Sequence, residues 1–151
     1  MIKYMELALK EAKKAYKLKE VPVGAVIVKD DKVIAKAYNL REKTNNAISH
    51  AEILCINKAC KKLKSWRLDG CTMYVTLEPC LMCAGAISQA RISKVVIGAM
   101  DPKNGCVGSK SNVLDIDITH KVQYEYELDE SCSIIIKDFF KELRNTKKTL
   151  K

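Results

Sequence analysis

Two short segments constrain this chain more than the rest of its sequence: Ser49-His50-Ala51-Glu52 and Glu78-Pro79-Cys80-Leu81-Met82-Cys83. Both fall where a helix is expected to begin. Cys80 and Cys83 are three residues apart, so in a first helical turn their sulfurs point to one side. A helix N-terminus and a nearby cation both favour thiolate over thiol. Pro79 suits the first helical turn, where its missing N–H costs nothing. Two thiolates and one imidazole make a good ligand set for zinc. A fold that uses all three must bring two helix starts together.

The ligand count is informative. A closed structural zinc site takes four protein ligands, whereas a catalytic site takes three and leaves a position for water. His50, Cys80 and Cys83 are three, and the only other histidine, His120, lies in a polar stretch without a neighbouring ligand. Zinc acidifies a bound water enough to supply hydroxide near neutral pH. Glu52, two residues past His50, is placed to take that proton and pass it on without being a ligand. A rival role exists for it, because Ser49-x-x-Glu52 is also a capping box that would merely close a helix end. The ordered combination His-x-Glu then Pro-Cys-x-x-Cys is nevertheless the signature of zinc deaminases acting on nucleobases.

The remaining sequence supplies a frame for these segments. Met5, Ala8, Leu9, Ala12 and Tyr16 recur at helical spacing. Val23–Val28 and Val33–Tyr38 flank Lys29-Asp30-Asp31-Lys32 and predict a β-hairpin. Further strands are expected at Cys71–Leu77, Lys94–Ala99 and Gln123–Leu128. Helices are expected at about His50–Lys62, Pro79–Ala90 and Asp129–Arg144, followed by a frayed basic tail over Thr146–Lys151. The pattern predicts a three-layer α/β/α fold with a central mixed five-stranded sheet, in a single domain spanning 1–151. Asp101 to Gly105 reads as a loop by its turn chemistry.

Seven cysteines in 151 residues, with no export signal to suggest disulfides, point to a reducing cytoplasm and to thiols or metal ligands. No apolar run approaches the length of a membrane span. The net charge of +9, from 27 Lys and Arg against 18 Asp and Glu, permits binding to a polyanion.

With these segments in view, the sequence resembles the bacterial tRNA-specific adenosine deaminases, within the cytidine deaminase-like fold. The resemblance runs along nearly the whole chain. It rests on Glu20-Val21-Pro22-Val23-Gly24-Ala25-Val26, on the two ligand segments, on Asp101-Pro102-Lys103-Asn104-Gly105-Cys106-Val107-Gly108-Ser109, and on Asp138-Phe139-Phe140. The chain departs from many relatives just before the histidine, where Asn46-Ala47-Ile48-Ser49 replaces Asp-Pro-Thr-Ala. The resemblance implies hydrolysis of adenosine to inosine at the wobble position of a tRNA anticodon stem-loop, on a base flipped into the site. It also implies one zinc per subunit of a homodimer. Glu52 would be the proton carrier, and Val23, Asn39, Ala51, Asp101, Lys103, Phe140 and Arg144 would contact the RNA.

Two rivals stay open on the residues alone. A deaminase of a free base or nucleoside would use the same metal and glutamate in a closed, neutral pocket. A non-catalytic zinc module would need a fourth ligand, with Cys60 or Cys71 as candidates, and would have no use for Glu52. Each contact residue also has a plainer role to compete with. Val23 could be core, Asn39 could shape a turn, and Gly105 and Gly108 could serve only tight turns.

Overall fold

The structure is a computed structural model that describes residues 3–117 and 120–149. Helix α1 (Tyr4–Lys17) leads into a hairpin of β1 (Gly24–Lys29) and β2 (Lys32–Tyr38). Asp30 and Asp31 both take left-handed backbone angles, φ 50° and 62°. Two such residues between paired strands make the mirror-image turn that matches strand twist, and aspartate tolerates it better than most side chains. There follow α2 (Ala51–Leu63), β3 (Thr72–Val75), α3 (Leu81–Gln89), β4 (Lys94–Ile97), a short 3₁₀ turn (Val113–Asp115), β5 (Gln123–Tyr126) and α4 (Glu130–Thr149).

The strands form one sheet in the order β2-β1-β3-β4-β5. β1 runs antiparallel to both neighbours, whereas β3, β4 and β5 are parallel. Alternation along the strands builds two cores. Ala25, Ile27, Met73, Val75, Val95 and Ile97 face Cys55, Ala59 and Ile87 of α2 and α3. Val26, Val28 and Val96 face the other way, onto Met5 and Ala8 of α1 and Cys132 of α4. This is the three-layer α/β/α arrangement with a mixed five-stranded sheet that the sequence predicts. α1 lies so close to the start of β1 that a Cβ built on Gly24 would overlap the Ala8 carbonyl.

Two element boundaries differ from expectation. α3 begins at Leu81, so Pro79 stands just outside the helix rather than in its first turn. Cys80 itself is the cap, and its carbonyl accepts the first helical hydrogen bond from Ala84 N–H at 2.9 Å. At the other end of the chain, α4 runs to Thr149 instead of stopping near Arg144. No glycine or proline interrupts that stretch, and lysine favours the helix. Leu150 and Lys151 lie outside the described residues.

Candidate active site

The parallel crossovers place the N-termini of α2 and α3 side by side. His50 caps α2 with extended angles (φ −73°, ψ 154°) and Cys80 caps α3 in the same manner (φ −76°, ψ 177°). Each cap carbonyl takes the helix's first bond, Leu54 N–H to His50 at 3.1 Å and Ala84 N–H to Cys80. Both side chains are thereby freed toward the space between the helix ends. Cys83 projects into it from the first turn of α3.

His50 Nδ1 is 3.7 Å from Cys80 Sγ and 3.5 Å from Cys83 Sγ. A tetrahedral ion bonded at ordinary lengths to imidazole and thiolate would hold nitrogen and sulfur about 3.6 Å apart. The donor set therefore fits such an ion in both chemistry and spacing. The three ligand atoms lie within 4.8 Å of one another, and no further residue joins them in a metal-competent group among the described residues. Cys60 and Cys71 are elsewhere, with thiols directed to the carbonyls of Trp66 and Asp69. A four-ligand cage using either is not formed.

The electrostatics suit a cation. The Cys83 thiol directed at Cys80, followed by His50, lowers the Cys80 pKa to about 4 against the cost of burial. Cys83 is pushed upward in turn by Cys80 and by burial. The Cys80 hydrogen bond raises His50. Two sulfurs and an imidazole thus hold protons between them, and a metal ion would take the place of those protons.

Glu52 is buried, 4% exposed. Burial is the main cause that lifts its pKa to about 7, against the lowering effect of its own backbone N–H and of the Cys83 thiol. The capping-box alternative is not realised. His50 rather than Ser49 is the cap, and the Ser49 N–H donates to Asn46 O at 3.1 Å instead.

His50, Glu52 and Cys80 form part of the wall of a cavity of about 850 Å³. Val23, Asn39 and Ala51 line it, as do Asp101 and Lys103 from the loop after β4. Phe140 and Arg144 line it from α4, so every expected contact residue faces one space. Several of these side chains also have internal work. Asn39 donates to Val21 O at 3.2 Å and accepts from Arg41 N–H at 3.2 Å, which shapes the turn after β2. Asp101 Oδ1 accepts from the N–H groups of Lys103 and Asn104, each at 3.2 Å.

The sequence reading missed several cavity residues. Ser133 and Lys137 complete with Phe140 and Arg144 a helical stripe on α4. Their spacing of four, three and four was there to be read once one face was known. Arg41 adds a further cation to the wall. Less visible are two buried carboxylates that hold the rims. Glu20 is fully buried and accepts from Glu42 N–H at 2.9 Å and Lys43 N–H at 2.7 Å. Glu78, 3% exposed, accepts from the N–H groups of Asp101 (3.0 Å), Val107 (3.0 Å) and Ser109 (2.9 Å), and from the Ser109 hydroxyl. Burial pushes the Glu78 pKa up, but these hydrogen bonds outweigh it and hold the group below the usual carboxylate range. Gly105 also differs from expectation. It serves not a turn conformation but space, because a Cβ there would overlap the Glu78 carboxylate.

A mixed α/β/α sheet with His, Cys and Cys converging from two helix starts, and a buried glutamate beside them, defines a deaminase-type metal centre. The MafB19-like deaminase family model matches residues 1–144. The chain is 51% identical over 147 residues to the tRNA-specific adenosine deaminase of Bacillus subtilis (strain 168), covering 96% of this chain and 91% of that protein. A solved structure from work on A-to-I editing by tRNA:A34 deaminases superposes with a TM-score of 0.84 at 43% identity, covering 87% of this chain and 97% of the other. Guanine deaminase from Bacillus subtilis is more distant, with a TM-score of 0.63 at 32% identity, covering 94% and 92%. The chain belongs to the tRNA-specific adenosine deaminase family.

Proposed function

We propose that this protein converts adenosine to inosine at the wobble position of a tRNA anticodon by zinc-dependent hydrolysis, releasing ammonia. The observation that carries the chemistry is the three-ligand cluster with Glu52 buried beside it, in the wall of a cavity wide enough for a nucleotide. His50, Cys80 and Cys83 would hold one zinc ion per subunit. When bound, the ion supplies a water acidic enough to serve as nucleophile near neutral pH.

The chain's own residues do the rest. Glu52, with a pKa lifted by burial to about 7, can both accept and return a proton at neutral pH. It would carry one proton from the nucleophile to N1 of the purine, and then the remaining hydroxyl proton to the amine, which departs as ammonia. Burial of Glu52 and Ala51 keeps bulk water from competing for that proton. Val23, Asn39 and Ala51 would enclose the flipped base, while Asp101, Lys103, Phe140 and Arg144 would meet the flanking nucleotides.

Arg41, Lys103, Lys137 and Arg144 line the cavity together with five carboxylates, of which Glu20 and Glu78 are occupied by backbone N–H groups. The four cations support an RNA substrate over a lone neutral base. A tRNA substrate implies the cytoplasm, and no helix among the described residues is long and apolar enough to cross a membrane. A homodimer is part of the same reading. It is supported by Ile48, 52% exposed and next to the first ligand segment, and by Leu81, 65% exposed within the second.

The test is incubation of the purified protein with total tRNA followed by sequencing of the product. Inosine should appear in an anticodon loop, with free adenosine, guanine and cytidine left intact. Turnover of a free base with no inosine in tRNA would overturn the proposal.

A further inference from the structure

We propose that Glu78 is a positioning residue that fixes the substrate-facing loop 101–109 against the metal-bearing helix, and so sets affinity for the RNA rather than the rate of the chemical step. The inference rests on the functional reading above. Its basis is the placement of a single buried carboxylate between two parts of the site.

Glu78 leaves the end of β3 with its backbone N–H bonded to Ala99 O at 2.8 Å, and Cys80 follows two residues later. Its side chain turns away from the ligands into the loop. Oε1 accepts from Asp101 N–H and the Ser109 hydroxyl; Oε2 accepts from Val107 N–H and Ser109 N–H. Four donors match the four lone-pair directions of a carboxylate, so no capacity is left over. All four are neutral, which makes the loop's backbone the counter-charge for a buried anion. Pro79 O adds a fifth tie by accepting from Cys106 N–H at 2.9 Å.

The loop is built around this group. Gly105 has room for no side chain because the carboxylate fills the space a Cβ would take. Asp101, Lys103 and Asn104 line the cavity beside Glu78 itself. Asp101 is the hinge of the arrangement. Its N–H is held by Glu78, and its own carboxylate holds the N–H groups of Lys103 and Asn104. Removing the Glu78 charge therefore releases the loop at both ends, at 101 and at 107–109. The side chains that would touch the flanking nucleotides shift, while the ligands on α2 and α3 keep their own caps.

A glutamine at this position has nearly the same shape but turns its NH₂ toward backbone N–H donors, so at least one bond is replaced by a clash of donors. Steady-state kinetics of Glu78→Gln on an anticodon stem-loop RNA should show KM raised by roughly 10–100-fold, the worth of a lost hydrogen bond to a charged group, with kcat nearly unchanged. Hydrogen exchange should show the amides of Asp101, Val107 and Ser109 losing protection. The absorption spectrum of the cobalt-substituted protein should stay as in wild type, since the ligands are not moved. Ser109→Ala, which removes only the hydroxyl donor, gives a milder version, roughly tenfold in KM. It decides the question if Glu78→Gln fails to fold.

Unchanged KM with the three amides still protected would overturn the proposal. So would a joint loss of kcat and of the cobalt spectrum at constant KM, which would make Glu78 a support of the metal centre. Should wild type leave the stem-loop unmodified, the functional reading fails instead, and amide exchange alone then decides the role of Glu78.

Discussion

His50 Nδ1 stands 3.5 Å from Cys83 Sγ, close to the separation a shared tetrahedral ion would impose. Without an ion the same proximity keeps protons in the site. Cys83 is held above the ordinary thiol range by Cys80 and by burial, and the Cys80 hydrogen bond raises His50. Metal binding must expel the Cys83 proton and part of one from His50. Zinc affinity should therefore climb with pH, by about one to two powers of ten per unit below neutrality. Competition against a chelator over a series of buffers measures it. An affinity independent of pH, after correction for the chelator's own titration, would contradict the ligand assignment.

Glu52 is assigned to proton transfer and not to metal binding. Glu52→Gln preserves its volume but cannot carry a proton, so kcat should fall by about 10²–10⁴-fold. Zinc content and stem-loop affinity should match wild type. Metal analysis, a binding titration and single-turnover rates are enough to check this. A variant that loses its zinc would mean that the carboxylate supports the ion instead.

Much of this site could be read from the sequence because ligand chemistry imposes spacing. His50, Glu52, Cys80 and Cys83 each follow from what a catalytic ion and a proton carrier need near a helix start. Sequence rules failed where two local signals competed. Ser49-x-x-Glu52 satisfies a capping box, yet His50 takes the cap because its carbonyl closes the first turn. Pro79 satisfies a first-turn preference, yet it is displaced by Cys80 for the same reason. Glu20 and Glu78 stand in the segments that carry the family resemblance, yet nothing in the sequence marked them as carboxylates that hold loops. Apart from the Ser109 hydroxyl, their partners are backbone N–H groups 22 to 31 residues away, and an N–H belongs to almost every residue. The sheet was legible for the opposite reason, since the continuous apolar runs of β1 and β4, buried on both faces, are written in the side chains themselves.

Glu20 offers a test of how the other rim is held. Its carboxylate is the partner of the Glu42 and Lys43 N–H groups at the start of the polar loop that leads to Ser49. Glu20→Ala strands both donors and should destabilise the fold by about 2 kcal/mol. In a chain of this size that lowers the melting temperature by about 4–8 °C. Glu20→Gln should recover part of the loss, because one amide oxygen still accepts. Thermal denaturation of the three proteins side by side would expose an error if alanine proved as stable as wild type.

Lys137 bears on whether the substrate is a polyanion. It shares one face of α4 with Ser133, Phe140 and Arg144, and that face lines the cavity. The Tyr16 ring packs edge-on against Phe139 at 5.9 Å and holds this helix to α1, so its stripe has a fixed direction. A phosphate contact from Lys137 adds affinity that weakens as salt rises, because binding releases counterions from the RNA. Lys137→Glu should raise KM for a stem-loop by roughly tenfold in moderate salt and should flatten the slope of log KM against log salt by about one. The chemical step, read in a single turnover at saturating RNA, should be unchanged, since Lys137 lines the cavity from α4 beside Phe140 and Arg144, whereas Glu52 lies on α2. An unaltered salt slope would remove Lys137 from the RNA path. A wild-type enzyme whose KM ignores salt altogether would remove the polyanion itself and return the choice to a small neutral base.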